Sequence, residues 1–154
     1  MDIKIRPVFE NEISDICALE KECFGADPWD ENMFRMMLES PAGNILVAKD
    51  GDKLCGFVCV YIVAGDRDRV DGDADLSDIA VAPEYRNKGI ARALMGEVYR
   101  LAKKKYCEKI FLEVRRSNTP AQSLYLSEGF TVYRERKNYY SEPREDAVLM
   151  SREL

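Results

Sequence analysis

Asp78-Ile79-Ala80-Val81-Ala82-Pro83-Glu84-Tyr85-Arg86-Asn87-Lys88-Gly89-Ile90-Ala91 joins two kinds of backbone in one short stretch. Ile79 to Val81 reads as the end of a strand, and Pro83 stops it. From Ile90 onward Leu94, Val98, Leu101 and Ala102 recur at helical spacing, and Lys103-Lys104-Lys105 place cations at the C-terminal end, where the helix dipole favours them. The loop Arg86 to Gly89 therefore meets the positive end of that helix. Successive N–H groups there suit a pyrophosphate; Gly89 permits close approach, and Arg86, Lys88 and Arg92 add charge. An ordinary basic loop before a helix fits these residues equally well.

Working outward, Leu76 to Val81 forms the strand, preceded by an acidic loop from Gly65 to Asp75. Ile45 to Ala48 and Lys53 to Val63 are strands joined by Asp50-Gly51, a hairpin signal. Before them Asp30 caps a helix striped by Met33, Phe34, Met37 and Leu38, and Ile13, Ile16, Cys17, Leu19, Cys23 and Phe24 stripe another within 11–24. Ile3 and Ile5 alternate with charges in a first strand that ends at Pro7. Downstream, Ile110, Leu112 and Val114 alternate as a strand. Thr119-Pro120-Ala121-Gln122 carries a capping-box pattern with proline at the first helical position, and Gly129 ends that short helix. Two last strands, Val132 to Lys137 and Ala147 to Ser151, are joined by a long loop holding Asn138-Tyr139-Tyr140 and Pro143. This order predicts an α/β (α+β) protein: one domain over 1–154, with a mixed sheet and helices on both faces.

Composition narrows the chemistry. Apolar residues make up 46% and charged residues 33%, as in ordinary globular proteins. The longest apolar run, Leu54 to Ala64, is too short to span a bilayer, so no membrane helix is expected. The first residues alternate charge and apolar character without a secretory core, which makes the cytoplasm the expected location. The 5 cysteines include no C-x-x-C pair and read as reduced core thiols. With 0 histidines, histidine-activated nucleophiles and most zinc sites are excluded, and no metal is expected. A net charge of -5 argues against direct nucleic-acid binding and suits a basic partner. Asp71-x-Asp73-x-Asp75 opens like a calcium loop, but Leu76 stands where glycine is required and Ala82 where glutamate is.

Taken whole, the stretch 78–91 resembles the acetyl-CoA signature of the GNAT superfamily of N-acetyltransferases, whose loop has the form Q/R-x-x-G-x-G/A. Leu112-Glu113-Val114-Arg115, Asn118, Ala121, Leu124-Tyr125 and Glu128-Gly129-Phe130 resemble the RimI group within it. So do Arg136-Lys137-Asn138-Tyr139-Tyr140, Glu145-Asp146-Ala147, and Pro28-Trp29 with Phe34. Three features depart from the pattern: Asp27 replaces an aromatic residue, Asp78 replaces an asparagine, and the loop Gly65 to Asp75 is longer and more acidic.

The resemblance implies a mixed, mostly antiparallel sheet of six to seven strands with four helices. It implies acetyl-CoA as co-substrate, held by Ile79, Ala80, Val81, Arg86, Asn87, Lys88, Gly89, Ile90, Ala91, Arg92, Asn118 and Tyr125. On residues alone, Glu113 reads as a solvated mid-strand acid and Tyr125 as a core ring. The resemblance implies instead that Glu113 is the general base and Tyr125 the general acid, with Trp29, Tyr139 and Tyr140 at the acceptor. It further implies as substrate the N-terminal alanine of the eighteenth protein of the small ribosomal subunit, in keeping with the basic partner that the net charge suits; a monomer or weak dimer is expected. Two alternatives stand beside it: a GNAT enzyme acting on lysine side chains or a small amine, and an inactive acyl-CoA-binding module.

Overall fold

In a computed structural model describing residues 1–25 and 27–154, the chain runs β1 (Ile3–Pro7), α1 (Ile13–Cys23), α2 (Glu31–Glu39), β2 (Gly43–Asp50), β3 (Lys53–Val63) and β4 (Gly72–Val81). It continues through α3 (Ile90–Lys104), β5 (Cys107–Arg115), α4 (Thr119–Ser127), β6 (Thr131–Ser141) and β7 (Arg144–Glu153). The strands form a seven-stranded sheet in the order β1-β2-β3-β4-β5-β7-β6. Every pairing is antiparallel except β4 with β5, which are parallel because α3 carries the chain back between them.

α1, α2 and α3 bury most of the stripes that the sequence predicts, whereas Met33, counted in the α2 stripe, is exposed. Ile90, Leu94, Met95, Val98 and Ala102 of α3 pack with Val58, Val60, Leu76, Ile110 and Leu112 on one face of the sheet. Ile13, Ile16 and Leu19 of α1, with Phe34 and Met37 of α2, cover Ile45, Val47, Phe57 and Cys59 on the other. The Asp30 side chain caps α2 by accepting the Met33 N–H at 2.9 Å.

Several boundaries differ from the sequence reading, among them the start of β7, at Arg144 rather than Ala147. β4 begins at Gly72, so the acidic residues Asp73 and Asp75 belong to a strand. The cap of α4 is Asn118, whose side chain accepts the Ala121 N–H, and Thr119 is already helical. β6 extends to Ser141, which puts Asn138, Tyr139 and Tyr140 in a strand rather than a loop. The strand is irregular there, with a register shift between Arg136 and Tyr140 and Asn138 at φ 55. Finally, Glu10–Glu12 is a 3-10 turn ahead of α1, not its first helical turn.

Glu12 fixes how this turn meets the sheet. Its carboxylate accepts both Arg6 guanidinium nitrogens at 2.8 Å, the Lys49 ammonium at 3.1 Å and the Phe9 N–H at 2.8 Å. The Arg6 bonds, against the opposing effect of burial, bring its pKa down to about 2. A depressed carboxylate stabilises above its unfolded pKa and loses that contribution as pH falls through the folded value, so the loss is expected between about pH 4.5 and pH 2. Glu12→Ala leaves the part-buried Arg6 and Lys49 without their shared partner and is expected to cost about 1–3 kcal/mol in denaturant unfolding at neutral pH.

Candidate active site

The site starts from an irregularity in β4. Cys59 pairs with Asp78 and Val60 with Leu76, so Ser77 has no partner on β3. Such a bulge bends a strand and sharpens its twist. The parallel ladder accordingly ends where the bend begins, with Leu76 opposite Leu112. β4 runs on to Val81, while β5 runs on to Arg115 still paired with β7. The sheet is therefore split between Ser77–Val81 and Glu113–Arg115, and the facing edge of β4 keeps main-chain groups without a strand partner.

Glu113 and Tyr125 lie on opposite faces of this split. Glu113 shares the face of Phe111, and Phe111 pairs with Asp75, so these side chains project together on the α1/α2 side. Because α1 and α2 cover only the other half of that face, Asp73, Asp75 and Glu113 stay exposed. The Tyr139 hydroxyl reaches Glu113 Oε2 at 3.5 Å, a long contact. Desolvation of the Asp75 carboxyl among its neighbours, then the Glu113 charge, pushes its pKa up to about 6, although the residue as a whole is exposed.

Tyr125 belongs to the α3/α4 side, buried against Phe130 with ring centroids 5.8 Å apart. Its hydroxyl has no hydrogen-bond partner among the described residues. Burial, then Asp78 and Tyr140, pushes the phenol well above its ordinary pKa, so it holds its proton at any working pH. Tyr140 spans the two faces electrostatically: burial, then Glu113 and Tyr139, raises it to about 12. Trp29 stands on the α1/α2 side, its ring 5.2 Å from Phe34 and its N–H donated to Glu20 Oε2 at 2.8 Å.

At the end of the split, Gly89 sits at φ +81 as the cap of α3, and a Cβ there would meet open space. Asn87 also adopts a left-handed φ of 60. The Ala93 N–H is the first to bond back, to the Gly89 carbonyl at 3.0 Å, so the N–H groups of Ile90, Ala91 and Arg92 remain for an anion. These features fit a phosphate-bearing group. Ile79, Ala80 and Val81 offer their main chain, since the Ala80 and Ile90 side chains are buried in the core.

Some expected residues have other work. Arg92 is held by Glu128 at 2.7 Å and Ser127 at 2.9 Å, away from the loop. Arg86 donates to the Val81 carbonyl at 3.1 Å and fixes the loop's entry, while Lys88 is exposed. Asn118 spends its oxygen on the α4 cap, leaving its amide nitrogen for a ligand.

Two residues escaped sequence reading. Arg115, at the end of β5, donates to the Glu142 and Pro143 carbonyls at 3.1 and 2.9 Å and reaches Asp27 at 3.4 Å. It also lies 4.2 Å over the Tyr140 ring, so one guanidinium ties the β6–β7 turn to the segment before α2. Alternation alone would have marked it only as a strand end. Glu20 is buried, and its signal was visible: it falls one helical turn after Ile16, on the apolar stripe of α1.

Among the described residues, no three His, Cys, Asp or Glu side chains group as metal ligands, and no helix is long and apolar enough to cross a membrane.

Comparison with known proteins supplies the frame for this geometry. Residues 13–130 match the Acetyltransferase (GNAT) family. The [Ribosomal protein bS18]-alanine N-acetyltransferase of Escherichia coli (strain K12) is 34% identical over 128 residues, 82% of this chain and 81% of that protein. The N-alpha-acetyltransferase RimI of Mycobacterium tuberculosis is 32% identical over 139 residues, 89% of this chain and 84% of that one. A crystal structure of the Escherichia coli ribosomal-protein-S18-alanine N-acetyltransferase superposes with a TM-score of 0.84 at 28% identity, covering 99% of this chain and 94% of that one. The same fold, at 22% identity and a TM-score of 0.86, occurs in Arabidopsis thaliana NAA60 in complex with acetyl-CoA. The chain thus belongs to the GNAT acetyltransferase family and is an N-acetyltransferase that uses acetyl-CoA.

Proposed function

We propose that the enzyme acetylates the N-terminal α-amine, an alanine, of a small-subunit ribosomal protein by direct transfer. The observation that carries this reading is the split sheet, with a carboxylate on one face and a protonated phenol on the other. The relatives named for ribosomal protein bS18 support the choice of substrate. The exposed acids Asp73, Asp75 and Glu113 suit a basic peptide.

Acetyl-CoA supplies the activated acyl group. The α3 terminus and the Arg86–Gly89 loop bind its phosphates, the edge of β4 and the Asn118 amide orient its amide-bearing arm, and main-chain N–H groups polarise the thioester carbonyl. The acceptor enters on the other face, between Trp29 and the pair Tyr139 and Tyr140. Glu113, directly or through water, takes the ammonium proton, because only a neutral amine has a lone pair to attack. The C–N bond forms, the C–S bond breaks as Tyr125 gives its proton to the departing sulfur, and the second proton of the attacking nitrogen passes through water to restore Tyr125, while Glu113 releases the first to solvent. No enzyme-bound acyl group is required.

Incubation with acetyl-CoA and a panel of peptides tests this by mass spectrometry. An alanine-led ribosomal peptide should gain one acetyl group at its α-amine; modification of lysines or small amines alone would refute the substrate reading. Tyr125→Phe keeps the ring against Phe130 and removes only the hydroxyl, so it should melt normally and bind CoA normally. Its single-turnover rate should fall by about 10- to 1,000-fold. An unchanged chemical step would remove Tyr125 from that role.

A further inference from the structure

Two carboxyls beneath the site have oxygens without donors. Glu20 on α1 is 1% exposed; Oε2 accepts the Trp29 N–H, and Oε1 is buried without a partner. Asp78 on β4, opposite Cys59, has Oδ2 buried without a partner. α1 packs on β4, and Asp78 shares the face of its partner Cys59, which α1 covers, so the two unpartnered oxygens are buried in the same layer. The titratable groups on the pair's side are Cys17 and Cys23 from α1 and Cys59 from β3, with Tyr125 and, through it, Tyr140 acting across the sheet. The nearby cation, Arg86, donates to Cys23 at 3.4 Å and to the Val81 carbonyl, and to neither carboxyl. Two ionised carboxylates here would set buried acceptors against each other with no donor, an arrangement that costs far more than one shared hydrogen bond.

We propose that Asp78 and Glu20 share a single proton, with Asp78 donating to Glu20, and that this pair positions the site from below. On the Glu20 side it fixes the Trp29 main chain, and so the acceptor wall. On the Asp78 side it keeps a second negative charge away from Tyr125. The role of the pair in catalysis rests on the acceptor and Tyr125 assignments made above; its shared proton does not. Burial, then Glu20, holds the Asp78 carboxyl well above the ordinary carboxylate range, in agreement with this arrangement. A group raised in this way binds more protons folded than unfolded. Its stabilising contribution is complete below the ordinary Asp range and is lost as pH rises through the raised value.

Asp78→Asn replaces the protonated acid with an amide that donates in the same place and cannot titrate. Infrared difference spectra of the wild type against Asp78→Asn at neutral pH should contain a protonated-carboxyl C=O band. Between about pH 5 and pH 9 the wild-type Tm should fall relative to that of Asp78→Asn. Asp78→Leu removes the donor and should raise the acceptor KM by about 5- to 100-fold with less effect on acetyl-CoA, while Asp78→Asn recovers it. Absence of the band, or parallel Tm profiles, overturns the shared proton even if Asp78→Leu fails to fold. A band with equal acceptor KM in all three proteins overturns the positioning role. If no peptide is acetylated, the substrate reading fails while the spectra and melting curves still decide the pair.

Discussion

Glu113→Gln should lower kcat at neutral pH by about 10²- to 10⁴-fold, the range of a lost general base, with CoA affinity nearly unchanged. The geometry makes the substitution clean. Glu113 is exposed and its recorded side-chain contact is the 3.5 Å approach of the Tyr139 hydroxyl, which an amide oxygen accepts equally well. Folding should therefore survive, and Tm serves as the control. The loss should shrink as pH rises, because a larger share of the amine is then already neutral and needs no base. Asp75 stands close by as a possible substitute, so Asp75→Asn in the same background should deepen the defect if it takes over. A variant with parental kcat at every pH would assign the base elsewhere.

Gly89→Val should raise the KM for acetyl-CoA by about 10- to 100-fold, for two separable reasons. A β-branched residue at a φ of +81 costs about 1–2 kcal/mol of backbone strain, so the loop shifts from its present path. Its side chain would also fill the open space in front of the α3 N–H groups and displace a charge-assisted contact. Gly89→Ala isolates most of the first effect and should show a smaller loss. Since that space is empty of protein, neither variant should unpack the core. Calorimetric affinity equal to the parent in Gly89→Val would dismiss the phosphate assignment.

Where side-chain periodicity determined the outcome, the sequence was sufficient. The α3 stripe, the alternation in β5 and the Asp50-Gly51 hairpin all appear as read, and so do the mixed sheet and the order of elements along the chain. Boundaries moved where local and tertiary preferences compete. Gly72 to Asp75 is acidic enough to read as loop, yet pairing with β3 and β5 draws it into β4. Tyr139 and Tyr140 were read as loop, whereas β6 carries them in strand through a register shift between Arg136 and Tyr140. The candidate site was signalled only through resemblance. Nothing in the spacing places Glu113 and Tyr125 on opposite faces of one split, since that depends on Ser77 losing its partner. Arg115 was hidden for a related reason: its contacts lie at Asp27 and Glu142, remote in sequence on both sides.

The bulge at Ser77 also bears on how such an enzyme can change. A cradle made of main-chain N–H and C=O groups has no side chains to lose, so most single substitutions along Ile79 to Val81 leave its hydrogen-bonding pattern intact. Vulnerability shifts to the few positions that steer the backbone: the bulge itself, Asn87 and Gly89. On the mechanism proposed above, acceptor preference rests instead on exposed side chains such as Asp73, Asp75 and Tyr139. In a mutational scan, acceptor choice should therefore drift readily while cofactor use stays fixed, a division of evolvability that the geometry of one strand imposes on the whole enzyme.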